Sequence, residues 1–312
     1  MLAKRIALPT PESDSFDPIN PDPVNPINPR MNELPQPPAA STAVAPAWHT
    51  IVLVAGILAL SIHSASSFSA AHGPINRLRS YGFTAAMEAG IFAWAVVGLR
   101  LKKISLRSLL GSCPLNFRSI ARDLGCALIF WITSLMVLGS LGIAWSGVEA
   151  ALTHRPPLTR AAGQTGQANQ AGQAEKAAQV EQALRPDPSQ LEAVRALAQL
   201  APANGEEIAA WTLLCLLAGF VEEIVFRGYL QRQFISWARG GVGPGVLASA
   251  VLFGAAHAYQ GARGMALIAV FGALFSLLAL NRRSLRAGIF AHAWHDLITG
   301  LTLALLRSTH VI

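Results

Sequence analysis

Residues 208–227 read IAAWTLLCLLAGFVEEIVFR, an apolar run that ends in two adjacent glutamates and an arginine. About 20 apolar residues in a helix are enough to cross the hydrocarbon core of a bilayer. Charged side chains inside such a run are costly unless they are paired or line a wet cavity, so they mark candidate functional sites. Glu222, Glu223 and Arg227 are therefore the first candidates in this chain.

The whole chain has the composition of a polytopic membrane protein. Of its 312 residues, 52% are hydrophobic and only 13% are charged, whereas soluble domains carry about 25% charged residues. The net charge of +7 is attributed to arginines and lysines in short loops, which set membrane topology. No nucleic-acid-binding motif accompanies the charge, so we expect no nucleic-acid partner. Cys113, Cys126 and Cys215 have neither metal-binding nor redox spacing.

Four regions follow from shifts in composition. Residues 1–47 hold 11 of the 19 prolines and are predicted to be a disordered tail, within which Met31 is an alternative start. Residues 48–148 are predicted to be the N-terminal transmembrane helices. Residues 149–207 are a polar, low-complexity insertion to which we assign no chemistry, with a short helix expected to end at Leu200. Residues 208–312 are predicted to be the catalytic transmembrane core.

Apolar run lengths predict an all-α membrane bundle of about seven transmembrane helices. The runs lie at 49–70, 82–100, 123–147, 208–231, 244–260, 263–281 and 285–307. Between the second and third runs, Leu101–Arg122 alternates basic and apolar residues, a pattern typical of an amphipathic segment on an anionic leaflet.

Basic residues predict the orientation of the bundle. They cluster after the second run, at the end of the fourth and after the sixth, which are alternate connections. By the positive-inside rule these connections and the N-terminus face the cytoplasm, while the insertion and the C-terminus lie outside. Arg77 and Arg79 on the predicted outer side run against this. The expected location is a bacterial-type plasma membrane.

The fourth run contains one paired and one unpaired carboxylate. Glu223 and Arg227 stand four residues apart with the acid first, the favourable order for an ion pair on a helix. Glu222 lies about 100° around the helix from Glu223, so it has no partner on its own helix. It is the candidate general base.

Two further polar clusters fall in the fifth and seventh runs. Phe253 and His257 share one helix face, as do His292 and Asp296, with His295 within a turn of His292. Each cluster alone has a plainer explanation: a stabilising ion pair, a hydrogen-bonded core histidine or an interhelical network. Three such clusters in three neighbouring runs make coincidence a weaker explanation than one shared site.

The order Glu-Glu-x-x-x-Arg, Phe-x-x-x-His, His-x-x-x-Asp resembles the CAAX protease and bacteriocin-processing enzyme family, known as CPBP or Abi. Its eukaryotic members are the type II CAAX prenyl endopeptidases. The resemblance covers about 205–307 and implies a glutamate-dependent intramembrane endopeptidase acting on a membrane-associated peptide or protein. It does not define the substrate or whether that substrate is prenylated.

The resemblance also implies a role for each candidate. Glu222 with His257 would activate a water, and His292 with Asp296 would orient that water or stabilise the oxyanion. The supporting residues would be Glu223, Arg227, Phe253 and His295. The family often has asparagine where this chain has Asp296, and an ionised aspartate cannot donate a hydrogen bond. Asp296 would then be protonated, or would orient His292 or His295 as the donor.

Three alternatives remain open at this point. A zinc ion held by Glu222, His257 and His292 is the chemical alternative to the metal-free, cofactor-free reading, although His-Glu-x-x-His is absent. A catalytically inactive immunity or scaffold protein could share the fold. A proton-coupled transporter would predict inverted repeats, and the sequence shows no clear internal repeat.

Overall fold

The computed structural model describes residues 43–70, 75–111, 114, 116–153, 194–195 and 197–309. Within these ranges the chain is helical and contains no named strand, so the predicted all-α membrane bundle is confirmed. Most of the proline-rich tail and of the insertion, together with Met31 and Cys113, lie outside the described residues. The helices are α1 Ala47–Ala70, α2 Arg77–Leu101, α3 Leu106–Leu110, α4 Phe117–Thr153, α5 Gly205–Trp237, α6 Val242–Ala255, α7 Gly261–Arg282 and α8 Arg286–Ser308.

Six segments of the described chain are long and apolar enough to cross a membrane, and they match six of the seven predicted runs. The fifth predicted membrane-spanning run, 244–260, is longer than the helix that the structure shows there. Helix α6 has 14 residues, which span about 21 Å of a hydrocarbon core about 30 Å thick. The chain then makes a 3-10 turn at Ala258–Gln260 before α7. His257 therefore lies beyond the end of α6, in a non-α segment.

Helix α5 is the central element and changes its winding at the glutamate pair. Its start is fixed by Asn204, whose side chain accepts a hydrogen bond from the backbone N–H of Glu207, a standard N-cap. From Glu223 to Leu230 it is a π-helix, and all eight of these residues are buried. Wider π-helical turns inside α-helices are frequent at functional sites.

Glycines allow the neighbouring helices to approach the site closely. A Cβ on Gly219 of α5 would lie 2.7 Å from the backbone nitrogen of Ala293 on α8. A Cβ on Gly272 of α7 would lie 2.9 Å from the ring of Phe253 on α6. Helices α6, α7 and α8 can therefore bring their side chains to the π-helical part of α5.

Arginines close the bundle at the end where α5 begins. Arg307 on α8 donates to the carbonyl oxygens of Ala198, Ala201 and Pro202 at 2.6, 2.9 and 3.0 Å. Arg77 on α2 donates to the carbonyl oxygen of Gln199 at 2.7 Å. Arg77, which runs against the predicted orientation, thus has a structural role at this end.

At the opposite end, the basic segment Leu101–Arg122 is docked on the bundle through α3. Leu109 is fully buried, and Arg232 of α5 donates to the carbonyl oxygens of Ser108 and Leu109. Nearby, Asp123 of α4 accepts from Arg282 and Arg286 at 2.6 Å each. These contacts fix α4, α7 and α8 against one another.

Candidate active site

The predicted ion pair of α5 is present and deeply buried. Arg227 Nη1 lies 2.9 Å from Glu223 Oε1, and both side chains are almost completely enclosed. The guanidinium lies between two aromatic rings, 4.2 Å from the centre of Phe253 and 4.9 Å from that of Phe275. Cation–π contacts of this kind stabilise a desolvated arginine. The pair therefore connects α5 rigidly to α6 and α7.

His292 of α8 joins both glutamates. Its Nδ1 lies 3.1 Å from Glu223 Oε1, and its Nε2 lies 3.5 Å from Glu222 Oε2. Among the described residues, the ion-pair contact of Glu222 comes from α8, and its charge also acts on Arg227 of its own helix. Two adjacent glutamates thus reach opposite nitrogens of one imidazole ring. That ring is 4% exposed and stacks on Phe275 with centroids 5.1 Å apart.

Asp296 lies one turn beyond His292, on the same side of α8. Its Oδ2 is 3.8 Å from His292 Nε2, so Glu222 and Asp296 face the same ring nitrogen. His295 points elsewhere: its Nδ1 accepts a hydrogen bond from Trp131 of α4 at 3.2 Å, and Phe271 packs against its ring. The sequence left His292 and His295 open as partners of Asp296, and the structure places Asp296 beside His292.

His257 approaches from the segment after α6. Its Nδ1 donates to the carbonyl oxygen of Phe253 at 2.8 Å, since a carbonyl can only accept. In the neutral ring this leaves the lone pair on Nε2. The Phe253 ring contacts both histidines, with centroids 5.0 Å from His257 and 5.9 Å from His292. Phe253 is therefore a shared packing partner of both histidines of the candidate site.

Sequence reasoning missed two residues, Glu88 and Tyr259. The carboxylate of Glu88 on α2 interacts electrostatically with those of Glu222 and Asp296 and with His292. Tyr259, in the 3-10 turn, interacts electrostatically with the same carboxylates and accepts a hydrogen bond from Gln260. Glu88 could have been found from the sequence, because it is the one acidic residue in the apolar run 82–100. The same argument singled out Glu222.

The residues proposed as zinc ligands do not form a metal centre in this arrangement. Among the described residues, no three His, Cys, Asp or Glu side chains come together in a way that could hold a metal ion. We therefore derive no chemical step through zinc.

Residues 204–298 match the family model described as type II CAAX prenyl endopeptidase Rce1-like. The family resemblance is confirmed for this region. The match begins at the N-cap of α5 and ends inside α8, so the Rce1-like region contains Glu222, His257, His292 and Asp296. No curated protein and no solved structure matches the chain.

Proposed function

We propose that this protein is an intramembrane endopeptidase that hydrolyses a peptide bond of a membrane-associated protein or peptide with a water activated by Glu222 and His257. The observation that carries the proposal is the convergence inside the Rce1-like region. Glu222 and Asp296 face one nitrogen of His292, and the rings of His257 and His292 both contact Phe253. Hydrolysis needs a base, a positioned water and hydrogen-bond donors at the developing oxyanion.

Glu222 and His257 are suited to accept protons. Glu222 Oε2 is buried and receives no hydrogen bond from the described residues, so its acceptor capacity is open to a water. His257 has its Nδ1 committed to Phe253, which leaves Nε2 as the acceptor of the neutral ring. In the proposed reaction, the water proton passes to this pair while the water oxygen attacks the scissile carbonyl. The C–N bond then breaks as the pair returns that proton to the leaving amine.

His292 is the proposed oxyanion donor. Its Nδ1 is fixed by Glu223, which itself is fixed by Arg227, so the ring has one orientation. A proton on Nε2 would point toward Glu222 and Asp296, where the substrate carbonyl would lie. Asp296, 3.8 Å from Nε2, is beyond hydrogen-bond distance and acts on His292 through its charge, so it does not itself have to donate a hydrogen bond.

The proposed setting is a multi-pass protein of a bacterial-type plasma membrane with a cytoplasmic N-terminus. Six candidate membrane-spanning segments support the integral membrane location. The orientation rests on the distribution of arginine and lysine. Reporter fusions after α2 and at the C-terminus should show the α2–α4 connection inside and the C-terminus outside.

Peptide cleavage by the purified protein tests the proposed function. Full-length protein in detergent would be given a quenched fluorogenic peptide library with a hydrophobic membrane anchor. Glu222→Gln and His257→Ala should each lower kcat by about 100-fold or more, the contribution of a positioned acid or base. His63→Ala, an exposed histidine of α1, is the matched control and should retain full activity.

The same assay separates the alternatives. Full activity in both Glu222→Gln and His257→Ala would refute the assigned chemistry, and no cleavage by the wild type would favour an inactive scaffold. Activity lost with a chelator and restored by zinc would contradict the metal-free mechanism. Comparing cleaved peptide termini in cells carrying wild type or Glu222→Gln would identify the substrate and show whether it is prenylated.

A further inference from the structure

The chain leaves α-helical geometry next to His257. Helix α6 ends at Ala255, and His257 has φ −108° and ψ 31°, outside the α-helical region. The last carbonyl groups of a helix have no partner within it. Helix α6 is too short to cross the hydrocarbon core, and non-helical backbone at membrane depth is tolerated only where it is buried in protein or lines a wet cavity. The polar backbone groups around His257 therefore need partners from elsewhere in the bundle.

One side chain of α1 bonds to the backbone on both sides of His257. Ser61 Oγ donates to the carbonyl oxygen of Ala255 at 2.6 Å and accepts from the backbone N–H of Ala258 at 3.3 Å. A hydroxyl can donate one hydrogen bond and accept another at the same time. Ser61 therefore bridges the break in the helix and satisfies one backbone group on each side of it.

Ser61 lies on the buried face of α1. Leu53, Ile57 and Ser61 follow one another at four-residue spacing, and each is 4% exposed, so they share one helix face. Burying a hydroxyl on such a face is costly unless it is hydrogen-bonded. The bonds to Ala255 and Ala258 offset this cost, and they make the position of this segment depend on α1.

A second contact fixes α1 near its start. The side-chain oxygen of Gln233 on α5, a fully buried residue, accepts from the backbone N–H groups of Val44 and Ala45 at 2.9 and 3.1 Å. Its amide nitrogen donates to the carbonyl oxygen of Ala45 at 3.2 Å. Helix α1 is thus hydrogen-bonded to α5 just before it begins and, further along, to the segment around His257. A helix held at two points is a rigid support for that segment.

The direction of the His257 ring depends on this segment. Its Nδ1 donates to the carbonyl oxygen of Phe253, and its ring packs against those of Phe253 and Tyr259 with centroids 5.0 and 6.0 Å away. These partners belong to the same short stretch of chain as His257. Where Nε2 points is therefore set by how the stretch is held, and Ser61 holds it from α1.

We propose that Ser61 is a positioning residue, which fixes the backbone on both sides of His257 and thereby the direction of its Nε2. The catalytic consequence rests on the proposed function, in which Nε2 accepts a proton from the attacking water. The hydrogen bonds to Ala255 and Ala258 do not rest on it. Ser61 lies outside the matched residues 204–298, so the site depends on α1 as well as on the Rce1-like region.

Substitutions at residue 61 test the hydroxyl on a membrane-anchored peptide. Ser61→Ala removes both hydrogen bonds with little change in volume and should lower kcat about tenfold at unchanged KM, the effect of misplacing a catalytic group. Ser61→Thr keeps the hydroxyl and should retain kcat within about threefold. Ser66→Ala is the matched control and should retain full kcat, because Ser66 is an exposed serine of α1 that donates to the carbonyl oxygen of His63 on the same helix.

A double variant separates positioning from general stability. If Ser61 acts through His257, Ser61→Ala should cause no further loss of kcat in the His257→Ala background, because groups that act as a unit are not additive. A merely structural serine would lower kcat by the same factor in both backgrounds.

Nuclear magnetic resonance of isotope-labelled histidine gives a reading that needs no substrate. In full-length protein in detergent, the His257 ring signals are identified by their absence from His257→Ala. Ser61→Ala should shift or broaden these signals and leave those of His49, near the start of α1, unchanged. Ser66→Ala should leave both sets unchanged.

The outcomes distinguish the two proposals. Unchanged His257 signals in Ser61→Ala, unchanged kcat in that variant, or an equal further loss in the His257→Ala background would each overturn the role of Ser61. If the His257 signals shift as expected but the wild type cleaves no peptide, the positioning of His257 by Ser61 is supported and the proposed peptidase function fails.

Discussion

Neutralising one member of the Glu223–Arg227 pair should destabilise the protein far more than neutralising both. At 2.9 Å and an effective dielectric constant of about 20, the attraction is about 6 kcal/mol, most of which offsets desolvation. Removing one partner of a buried pair costs about 3–5 kcal/mol because the other charge stays buried. Glu223→Gln and Arg227→Met should each fall in that range. The double variant should be destabilised less than either single variant, so the coupling energy should be at least as large as a single effect, about 3–5 kcal/mol.

The assay is reversible unfolding in mixed micelles followed by circular dichroism, with the coupling energy taken from the four-variant cycle. Arg263 and Glu149 provide a matched control, because their ion pair is longer, 3.6 Å, and its glutamate is 44% exposed. Coupling in an exposed pair should stay below about 1 kcal/mol. A coupling energy below about 1 kcal/mol for Glu223 and Arg227 would refute the argument that this pair is the buried anchor of the site.

Three further substitutions test the surrounding structure. Gly219→Ala should lower kcat about tenfold, because its Cβ would lie 2.7 Å from the Ala293 nitrogen and push α5 away from α8. The control Gly56→Ala has open space around it and should be neutral. Asp296→Asn should keep kcat within about tenfold, since Asp296 lies 3.8 Å from His292 Nε2 and makes no hydrogen bond to it that the amide would lose; a loss beyond about 100-fold would show that the carboxylate itself is needed. Asp123→Asn should cost about 3 kcal/mol or more in unfolding free energy, measured in micelles, because Arg282 and Arg286 lose their shared counter-charge.

Much of the bundle could be predicted because the bilayer imposes length and polarity on each helix. The runs predicted six of the long helices, and the four-residue spacing predicted the Glu223–Arg227 pair. Residues four apart on one helix are neighbours regardless of the tertiary structure around them. Local spacing was therefore sufficient to predict the part of the site that lies within α5.

The rest depended on tertiary packing. Glu222 and Glu223 reach the two nitrogens of one ring because α8 crosses at Gly219 and α5 widens into a π-helix at this point. Neither feature leaves a periodic signal in the sequence. The early end of α6 was missed because the apolar run continues past Ala255. Glu88, a lone acid in an apolar run, was missed because no spacing motif joins it to the other polar clusters.

The most direct test of the central claim is the kinetic cycle of Glu222→Gln, His257→Ala and the double variant on one membrane-anchored peptide. If both residues act on the same water, the second substitution adds little once the first is present, because groups that act as a unit are not additive. We predict a loss of about 100-fold or more in each single variant and a similar loss in the double variant. A double-variant loss equal to the product of the two single losses would contradict it.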